Sequence, residues 1–377
     1  MILQSCSTSL VACNIYITSA ASAALPSLLA RAQDHCRQLR LIQNQQVIRS
    51  DEKYKKESNA AVAAIVRAYA DIPYDRSSFH LAGRSDCVAE VAIRLIQNAL
   101  NEIELKNDNN DPSNKLEARH PFVGLVDHVS IMPIIANQEF VPTATPTAAA
   151  TAAREIGSQI DQSNSIKIHY YGLACPNHTP LATVRRQTSF FKSDGAHDES
   201  SSCNFNNQEQ TNQFEKGECT IGAPLDFVEN YNIRLTSNVD FGTAKTLTQA
   251  LRGRNIATKG MGVPGVEALT LPYNRDVNQG GNVYEVACNL LEPKLGSVDK
   301  IELELEKWIQ KQKQQLLQDD EDVNDQYNRD YFIEKAYRVG TTEEQCLSVL
   351  KNADEDGYWM QYDQQVFSRF NDLLGQR

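Results

Sequence analysis

Residues 119–135, RHPFVGLVDHVSIMPII, begin with polar residues and continue into an apolar run. The proline that follows His120 holds this histidine in an extended conformation. The apolar run Val126–Ile135 predicts a buried strand. A strand that only fills a core does not need an imidazole and a carboxylate at its start, yet Asp127 and His128 stand there. The stretch therefore predicts a strand of the core and a candidate site at its entrance.

Upstream and downstream of this strand, β-branched runs alternate with segments of helical periodicity. The predicted strands are 10–17, 62–69, 77–83, 126–135 and 166–172, and the predicted helices are 21–41, 86–103 and 147–160. Residues 42–60 are polar and are predicted to be an exposed excursion. The order β-α-β-β-α-β with one further helix and strand is the split-βαβ, or ferredoxin-like, plan. It is an α+β fold with helices on one face of the sheet.

A second unit of similar plan follows. Its predicted strands are 227–236, 265–273 and 282–291, and its predicted helices are 239–251 and 298–317. We therefore expect two tandem split-βαβ subdomains, each with a mixed sheet, and a cleft where they meet, which is a favoured place for ligands. The predicted divisions are 8–192, a flexible acidic insertion at 193–218 that lacks aliphatic residues, 219–318, and a charged helical tail at 319–377.

The composition limits the classes of function. The 377 residues suit two domains, and the net charge of −11 argues against general nucleic-acid binding. Nine cysteines without a C-x-x-C pair indicate reduced thiols in an intracellular protein. Since no apolar run reaches about 18 residues, we expect no membrane span and a cytoplasmic protein.

Several polar residues are candidates for chemistry, each with an ordinary alternative. His120 could transfer a proton near neutral pH, or it could be a structural histidine. Asp71 and Arg76 belong to the turn DIPYDR, where Asp often only bonds its own backbone. Arg185 and Arg186 suit an anionic ligand or a charged surface. His80, inside a strand, is interpreted as a packed residue.

The residues around His120 resemble the formiminotransferase family, in particular the formiminotransferase-like proteins of plants. The family signature is His-Pro-Arg-x-Gly followed after two residues by Asp, and His120, Pro121, Gly124 and Asp127 match it. Further segments resemble the family in the same order: ACNIYIT, YDRSSFHLAG, IHYYG, LATVRRQTSFFK, DFVENYNIRL and EVACNLLEP. The resemblance extends from Leu10 to about Leu317.

The resemblance implies two α+β subdomains with a substrate tunnel between them. It also implies transfer of a formimino group from formiminoglutamate to N5 of tetrahydrofolate as co-substrate, with His120 as the acid/base catalyst. The residues implied to bind substrate or folate are Asp71, Arg76, Asp127, Tyr171, Gly172, Arg185, Arg186 and Asn232. No metal is implied, and no partner besides the small substrates is expected except a homodimer through exposed edge strands.

The sequence departs from the family at three positions of the site, one of which is Arg119, where the family often has an acid. Phe122 stands where the family has the Arg of His-Pro-Arg, and Asp75 stands where it has Asn. Three interpretations therefore remain: an active formimidoyl- or formyltransferase, a folate-binding protein with weak or no turnover, and an interaction protein that has kept only the fold. The third is the least favoured because His120 and Asp127 are present. Cyclodeaminase activity is not expected.

The tail contains one further pattern. Residues 352–363, NADEDGYWMQYD, have the outline of an EF-hand calcium loop with Asp363 at position twelve. A solvated turn between two helices is the preferred interpretation, since Asn stands at position one and no second loop pairs with it.

Overall fold

The computed structural model describes residues 9–49, 62–104, 120–135, 146–162, 166–188, 214–253, 262–273, 283–319, 327–352 and 358–375. These residues form two compact units. The first contains the described residues within 1–112, 121–225 and 343–377, and the second contains those within 226–342 together with His120. Among the described helices, none combines the length and the apolar character of a membrane span.

The first unit is a six-stranded sheet. Its strands are β1 (Leu10–Ile17), β2 (Ala63–Asp71), β3 (Arg76–Arg84), β4 (Val126–Pro133), β5 (Lys167–Gly172) and β6 (Glu218–Ala223), in the order β2-β3-β1-β4-β6-β5. The first four pair antiparallel, and β6 pairs parallel with β4 and with β5. The order β2-β3-β1-β4 is that of a split-βαβ unit, which confirms the predicted α+β plan.

The helices of the first unit pack on one face of this sheet. They are α1 (Leu25–Arg49), α2 (Ser85–Glu102) and α3 (Pro146–Asp161), and the short helix α4 (Leu181–Gln187) follows β5. Every second residue of β1, from Val11 to Ile17, belongs to the core under these helices. The predicted stripe of α2, which includes Val88 and Leu95, is buried as well.

Two boundaries of the first unit differ from the prediction. Helix α1 continues to Arg49, so the expected excursion at 42–60 is in part helix, with Ile42 exposed on it, and residues 50–61 lie outside the described residues. The predicted insertion at 193–218 falls largely outside the described residues, but its last residue, Glu218, begins β6. The insertion was set too long because ECTIGA is too short for its alternation to stand out.

The second unit is a four-stranded sheet. Its strands are β7 (Glu229–Leu235), β8 (Val266–Tyr273), β9 (Val283–Leu290) and β10 (Ile333–Arg338), in the order β10-β7-β9-β8, and its helices are α5 (Phe241–Leu251), α6 (Val298–Asp319) and α7 (Arg329–Phe332). Its strand pairs are all antiparallel, so the expectation of a mixed sheet is wrong for this unit. Its fourth strand, β10, comes from residues that the sequence assigned to the tail.

The remaining C-terminal residues return to the first unit. Helices α8 (Glu343–Lys351) and α9 (Tyr358–Gly375) pack beside β2, and Phe370 is buried against Phe79, with ring centroids 5.7 Å apart. Asp363 lies inside α9, and its Oδ2 accepts from Arg37 at 3.0 Å. The carboxylate expected at position twelve of an EF-hand is therefore an ion-pair partner within a helix. Among the described residues, no group of acidic, His and Cys side chains is arranged to hold a metal.

Candidate functional site

Asp127 occupies a β-bulge at the start of β4. Val126 pairs with Ile17 and His128 pairs with Tyr16, which leaves Asp127 as the extra residue. Bulges of this kind redirect a side chain and are frequent near active sites. The bulge explains how Asp127 and His128, which are neighbours in sequence, both contact residues on the face of the sheet away from the helices.

The buried carboxylate of Asp127 connects three parts of the chain. Its Oδ1 accepts the backbone N–H of Val123 at 3.0 Å. Its Oδ2 accepts from Arg76 Nη2 at 2.6 Å and lies 3.6 Å from Arg185 Nη2. Asp127 is fully buried, so this carboxylate needs the two guanidinium groups to offset the loss of water. It therefore anchors the turn after His120 and holds two cations beside it.

The face of the first sheet opposite its helices is lined with polar and aromatic side chains, and we call it the polar face. Cross-strand pairing places its members in two rows. They are Tyr69, Ser78, Tyr16, His128, Thr220 and His169 in one row, and Arg67, His80, Asn14, Ser130, Gly222 and Tyr171 in the other. A second bulge, between Ile65 and Arg67, shifts the alternation of β2 so that Arg67 joins this face.

His128 lies in a stack of rings on the polar face. Its imidazole is 5.8 Å from the ring of Tyr16 at 22° and 5.4 Å from the ring of Tyr171 at 27°. The Arg76 guanidinium lies 4.5 Å from the centre of the Tyr16 ring, a cation–π contact. Gly222 makes room for this stack, because a Cβ on it would come within 2.4 Å of the Tyr171 ring.

Hydrogen bonds determine the tautomer of His128. Its Nδ1 is 3.0 Å from Thr220 Oγ1, and Thr220 Oγ1 lies 3.0 Å from the carbonyl oxygen of Asp127. The carbonyl can only accept, so the hydroxyl donates its proton there and must accept from Nδ1–H. The Nε2 of His128 consequently carries a lone pair.

The polar face keeps its two buried imidazoles neutral. Burial, followed by the charges of Arg185 and Arg76, holds the pKa of His128 well below its usual value. Burial and the charge of Arg67 lower the pKa of His80 to about 3. His80 is packed, as predicted, and its Nε2 lies 2.7 Å from Ser78 Oγ.

The expected residues of the DIPYDR turn lie at the edge of the polar face. Asp71 and Arg76 stand opposite each other in the pairing of β2 with β3. Asp75 has a φ of 47°, a left-handed conformation that Asn and Asp tolerate better than other residues. Its Oδ1 accepts from the backbone N–H of Ala20 at 2.8 Å. Asp75 therefore shapes the turn, and Asn at this position would meet the same backbone requirement.

The remaining expected residues of the first unit have different exposures. Tyr171 is buried in the ring stack, and Gly172 follows it with a φ of 59° and no room for a Cβ beside Ala223. Arg185 approaches Asp127, whereas its neighbour Arg186 is exposed on α4. The structure thus brings together Arg76, Asp127, Tyr171 and Arg185 of the predicted set.

His120 and Phe122 are both half-buried. His120 is the first described residue after the gap at 105–119, and the turn between it and β4 is anchored through Val123 and Asp127. Its predicted role as acid/base catalyst stays a prediction.

Asn232 lies in the second sheet, where its Nδ2 donates to Glu285 Oε1 at 2.6 Å. Glu285 is fully buried, and its Oε2 also accepts from Arg234 at 3.2 Å and from Tyr337 at 2.7 Å. These residues face away from the apolar core of that sheet. The predicted ligand residue Asn232 is thus part of a network around a buried carboxylate.

Sequence reasoning missed most of the polar face. His128 was noticed at the strand entrance but was not named as a site residue, and Asn14, Tyr16 and Thr220 were not noticed. The available signal was a polar residue at every second position of strands that are otherwise apolar, as at Asn14 and Tyr16. When the pairing of the strands is unknown, such residues are difficult to distinguish from the polar residues of a strand with one solvent-facing side.

Known proteins resemble mainly the first unit. The model of the formiminotransferase domain, N-terminal subdomain, matches residues 42–224. A formiminotransferase cyclodeaminase-like protein of Arabidopsis thaliana is 26% identical over 253 residues, which cover 64% of this chain and 76% of that protein.

Solved structures add nothing to this. The periplasmic protease PqqL from Escherichia coli is 10% identical with a TM-score of 0.17, and the alignment covers 98% of this chain and 41% of PqqL. A protease from Helicobacter pylori is 11% identical with a TM-score of 0.17, over 97% of this chain and 90% of that one. TM-scores this low carry no information on fold or function. The family match and the Arabidopsis relative support a formiminotransferase-like family for this chain.

Proposed function

We propose that this protein transfers a formimino or formyl group between formiminoglutamate and N5 of tetrahydrofolate, with His120 as the general acid/base. The observation that carries the proposal is the buried Asp127. It anchors the turn after His120 and holds Arg76 and Arg185 beside it. A buried carboxylate with two cations at the entrance of a strand is costly for a purely structural element.

The reaction needs one group that moves a proton in both directions. N5 of the folate attacks the formimidoyl carbon, and a tetrahedral intermediate forms. His120 takes the proton of N5 and returns it to the glutamate nitrogen as the bond between that nitrogen and the carbon breaks. Binding both substrates side by side removes an entropic cost that can reach roughly 7–11 kcal/mol.

The substrates carry carboxylates that cations must bind. Arg76 and Arg185 have one shared partner in Asp127, and each guanidinium has five donors. Exposed Arg186 adds a third positive charge on the same helix as Arg185. In this proposal, Asp127 sets the position of the guanidinium groups, and the groups bind the glutamate carboxylates of the substrates bidentately.

The test is turnover by His120→Ala with formiminotetrahydrofolate as the measured product. We expect a loss of about 10²–10⁴-fold, the usual contribution of an acid/base group, with unchanged unfolding. His178→Ala is a matched control, since His178 lies in the turn after β5 and has no part in the proposed reaction. Full activity of His120→Ala would refute its assigned role. If the wild type binds folinate in calorimetry but forms no product, the protein is a folate-binding protein without turnover, which is the alternative interpretation.

A further inference from the structure

The polar face contains two buried acceptor atoms that described residues satisfy poorly. The Nε2 of His128 carries a lone pair, and its nearest described donor, the Tyr171 hydroxyl, is 3.5 Å away. That distance is well beyond the usual length of a hydrogen bond from a hydroxyl. Asn14 is 3% exposed, and its Oδ1 has no hydrogen-bond partner among the described residues.

The two acceptors lie close together on the sheet. Asn14 is two residues from Tyr16 in β1, and Tyr16 pairs with His128 in β4. Asn14 itself pairs with Ser130, two residues beyond His128, so the two acceptors are diagonal neighbours on one face.

Buried acceptors without good donors cost free energy, and a ligand that supplies donors recovers it. His128 is fixed as an acceptor at Nε2 because Thr220 holds its other nitrogen. It would therefore bind an N–H of a ligand and reject a carbonyl oxygen at the same place. The rings of Tyr16 and Tyr171 both stack with the His128 imidazole, and His128 is buried.

We propose that His128 Nε2 and Asn14 Oδ1 form the specificity site for the pterin end of the folate, by accepting hydrogen bonds from its ring N–H and 2-amino groups. This inference rests on the proposed function for the identity of the ligand. Two adjacent donors on one edge of a flat heterocycle match two neighbouring acceptors, and a glutamate tail offers no such edge. His128 acts here as a positioning residue, distinct from the proton transfer assigned to His120.

The experiment measures binding of three probes by calorimetry: folinate, 6-methyltetrahydropterin and p-aminobenzoylglutamate. The variant His128→Phe keeps a flat ring in the stack but lacks the acceptor. It should lose about ten- to a hundredfold in affinity for the two pterin-bearing probes, the usual effect of an unpaired buried donor. Its affinity for p-aminobenzoylglutamate, which lacks the pterin, should stay within about twofold.

Two further variants separate recognition from folding. Thr220→Val removes the acceptor that fixes the tautomer and should cause a smaller loss for the same two probes. His35→Phe, in α1 and away from the polar face, makes the same chemical change and should leave all three affinities unchanged. Thermal unfolding of each variant confirms that the measured protein is folded.

The outcomes distinguish this inference from the proposed function. Pterin-dependent binding that His128→Phe weakens supports the inference even if no formimino transfer is detected, in which case only the proposed function fails. Equal affinity of wild type and His128→Phe for 6-methyltetrahydropterin would overturn the inference. So would a wild-type protein that binds p-aminobenzoylglutamate as tightly as folinate, or one that binds neither pterin.

Discussion

The first and second sheets share the strand order of a split-βαβ unit, and each buries a carboxylate on the face away from its helices. Asp127 in the first sheet lies at a bulge and bonds to a loop and to two guanidinium groups. Glu285 in the second sheet lies in the regular strand β9. It bonds to Asn232 and Arg234 on the adjacent strand β7 and to Tyr337 on β10, the next strand beyond β7. Asp127 thus fixes the position of a loop, whereas Glu285 links strands of its sheet.

The two sheets also differ in groups that titrate near neutral pH. All seven histidines of the chain lie outside residues 226–342, so the second sheet has none, whereas His80, His128 and His169 lie in the first. Imidazole is the side chain that ordinarily changes charge between pH 5 and 8, and the second sheet has no such group. The same topology therefore does not imply the same chemical capacity.

The largest effects should come from removal of the two carboxylates. Asp127→Ala leaves two guanidinium groups without their shared anion and should lower the free energy of unfolding by about 3–5 kcal/mol. Glu285→Ala should cost less, about 2–3 kcal/mol, because Arg234 keeps the Tyr337 hydroxyl at 2.8 Å and the Tyr273 ring. Denaturant unfolding measures both changes. An equal or reversed order would contradict the distinction between the two carboxylates.

The next effect is a pH dependence of stability that arises from His80 in the first sheet. The pKa of His80 is about 3 in the folded protein and 6.5 in the unfolded chain. A lowered pKa of a base means that protons bind the unfolded state more tightly, so stability is complete above pH 6.5 and falls as the pH falls toward 3. Between pH 7.5 and 5.0 this amounts to about 2 kcal/mol for one imidazole.

The variant His80→Gln isolates this contribution. Its free energy of unfolding should fall by about 2 kcal/mol less than that of the wild type over the same pH range. His178→Gln, in a turn, serves as the control and should follow the wild type. If His80→Gln and the wild type lose the same free energy of unfolding over this pH range, His80 is not neutral in the folded protein. The difference in titrating groups between the two sheets would then not be supported.

The smallest effect concerns the network of the second sheet. Tyr337→Phe removes a hydroxyl that donates to Glu285 at 2.7 Å and accepts from Arg234 at 2.8 Å, and it should cost about 1–2 kcal/mol. Tyr284→Phe is the matched control in β9 of the same sheet, where the ring packs against Phe241. Its effect should stay below about 0.5 kcal/mol. Similar losses in both would show that the hydroxyl of Tyr337 does not hold Glu285.

The fold was largely predictable from local pattern. The strand Leu10–Ile17 agrees with the prediction at both ends, and helix α2 begins and ends one residue earlier than predicted. The predictions were less accurate for β6 and β10, which are only six residues long. Short strands contain too few alternations to be recognised, and their pairing energy comes from partners that are distant in sequence.

The site was predictable only where a motif spans adjacent residues. The sequence alone pointed to His120 and Asp127 through the His-Pro stretch and to Arg76 and Arg185 as candidate cations, and the resemblance added Tyr171. Their mutual approach, from residues 51 and 58 positions away from Asp127, required the tertiary structure. The bulge at Asp127 could not be predicted either, because it depends on the register with β1.

The sequence by itself determined the class of fold, the two split-βαβ units and the motif at His120. The periodic spacing of apolar residues and the turn residues can be recognised within a few positions of the chain. Only the tertiary structure decided which residues form the polar face and which tautomer His128 adopts. It also showed that β10 is the fourth strand of the second sheet. Each of these depends on pairs of residues that are far apart in the chain. Their energies depend on burial and hydrogen-bond partners, which a local stretch of sequence does not specify.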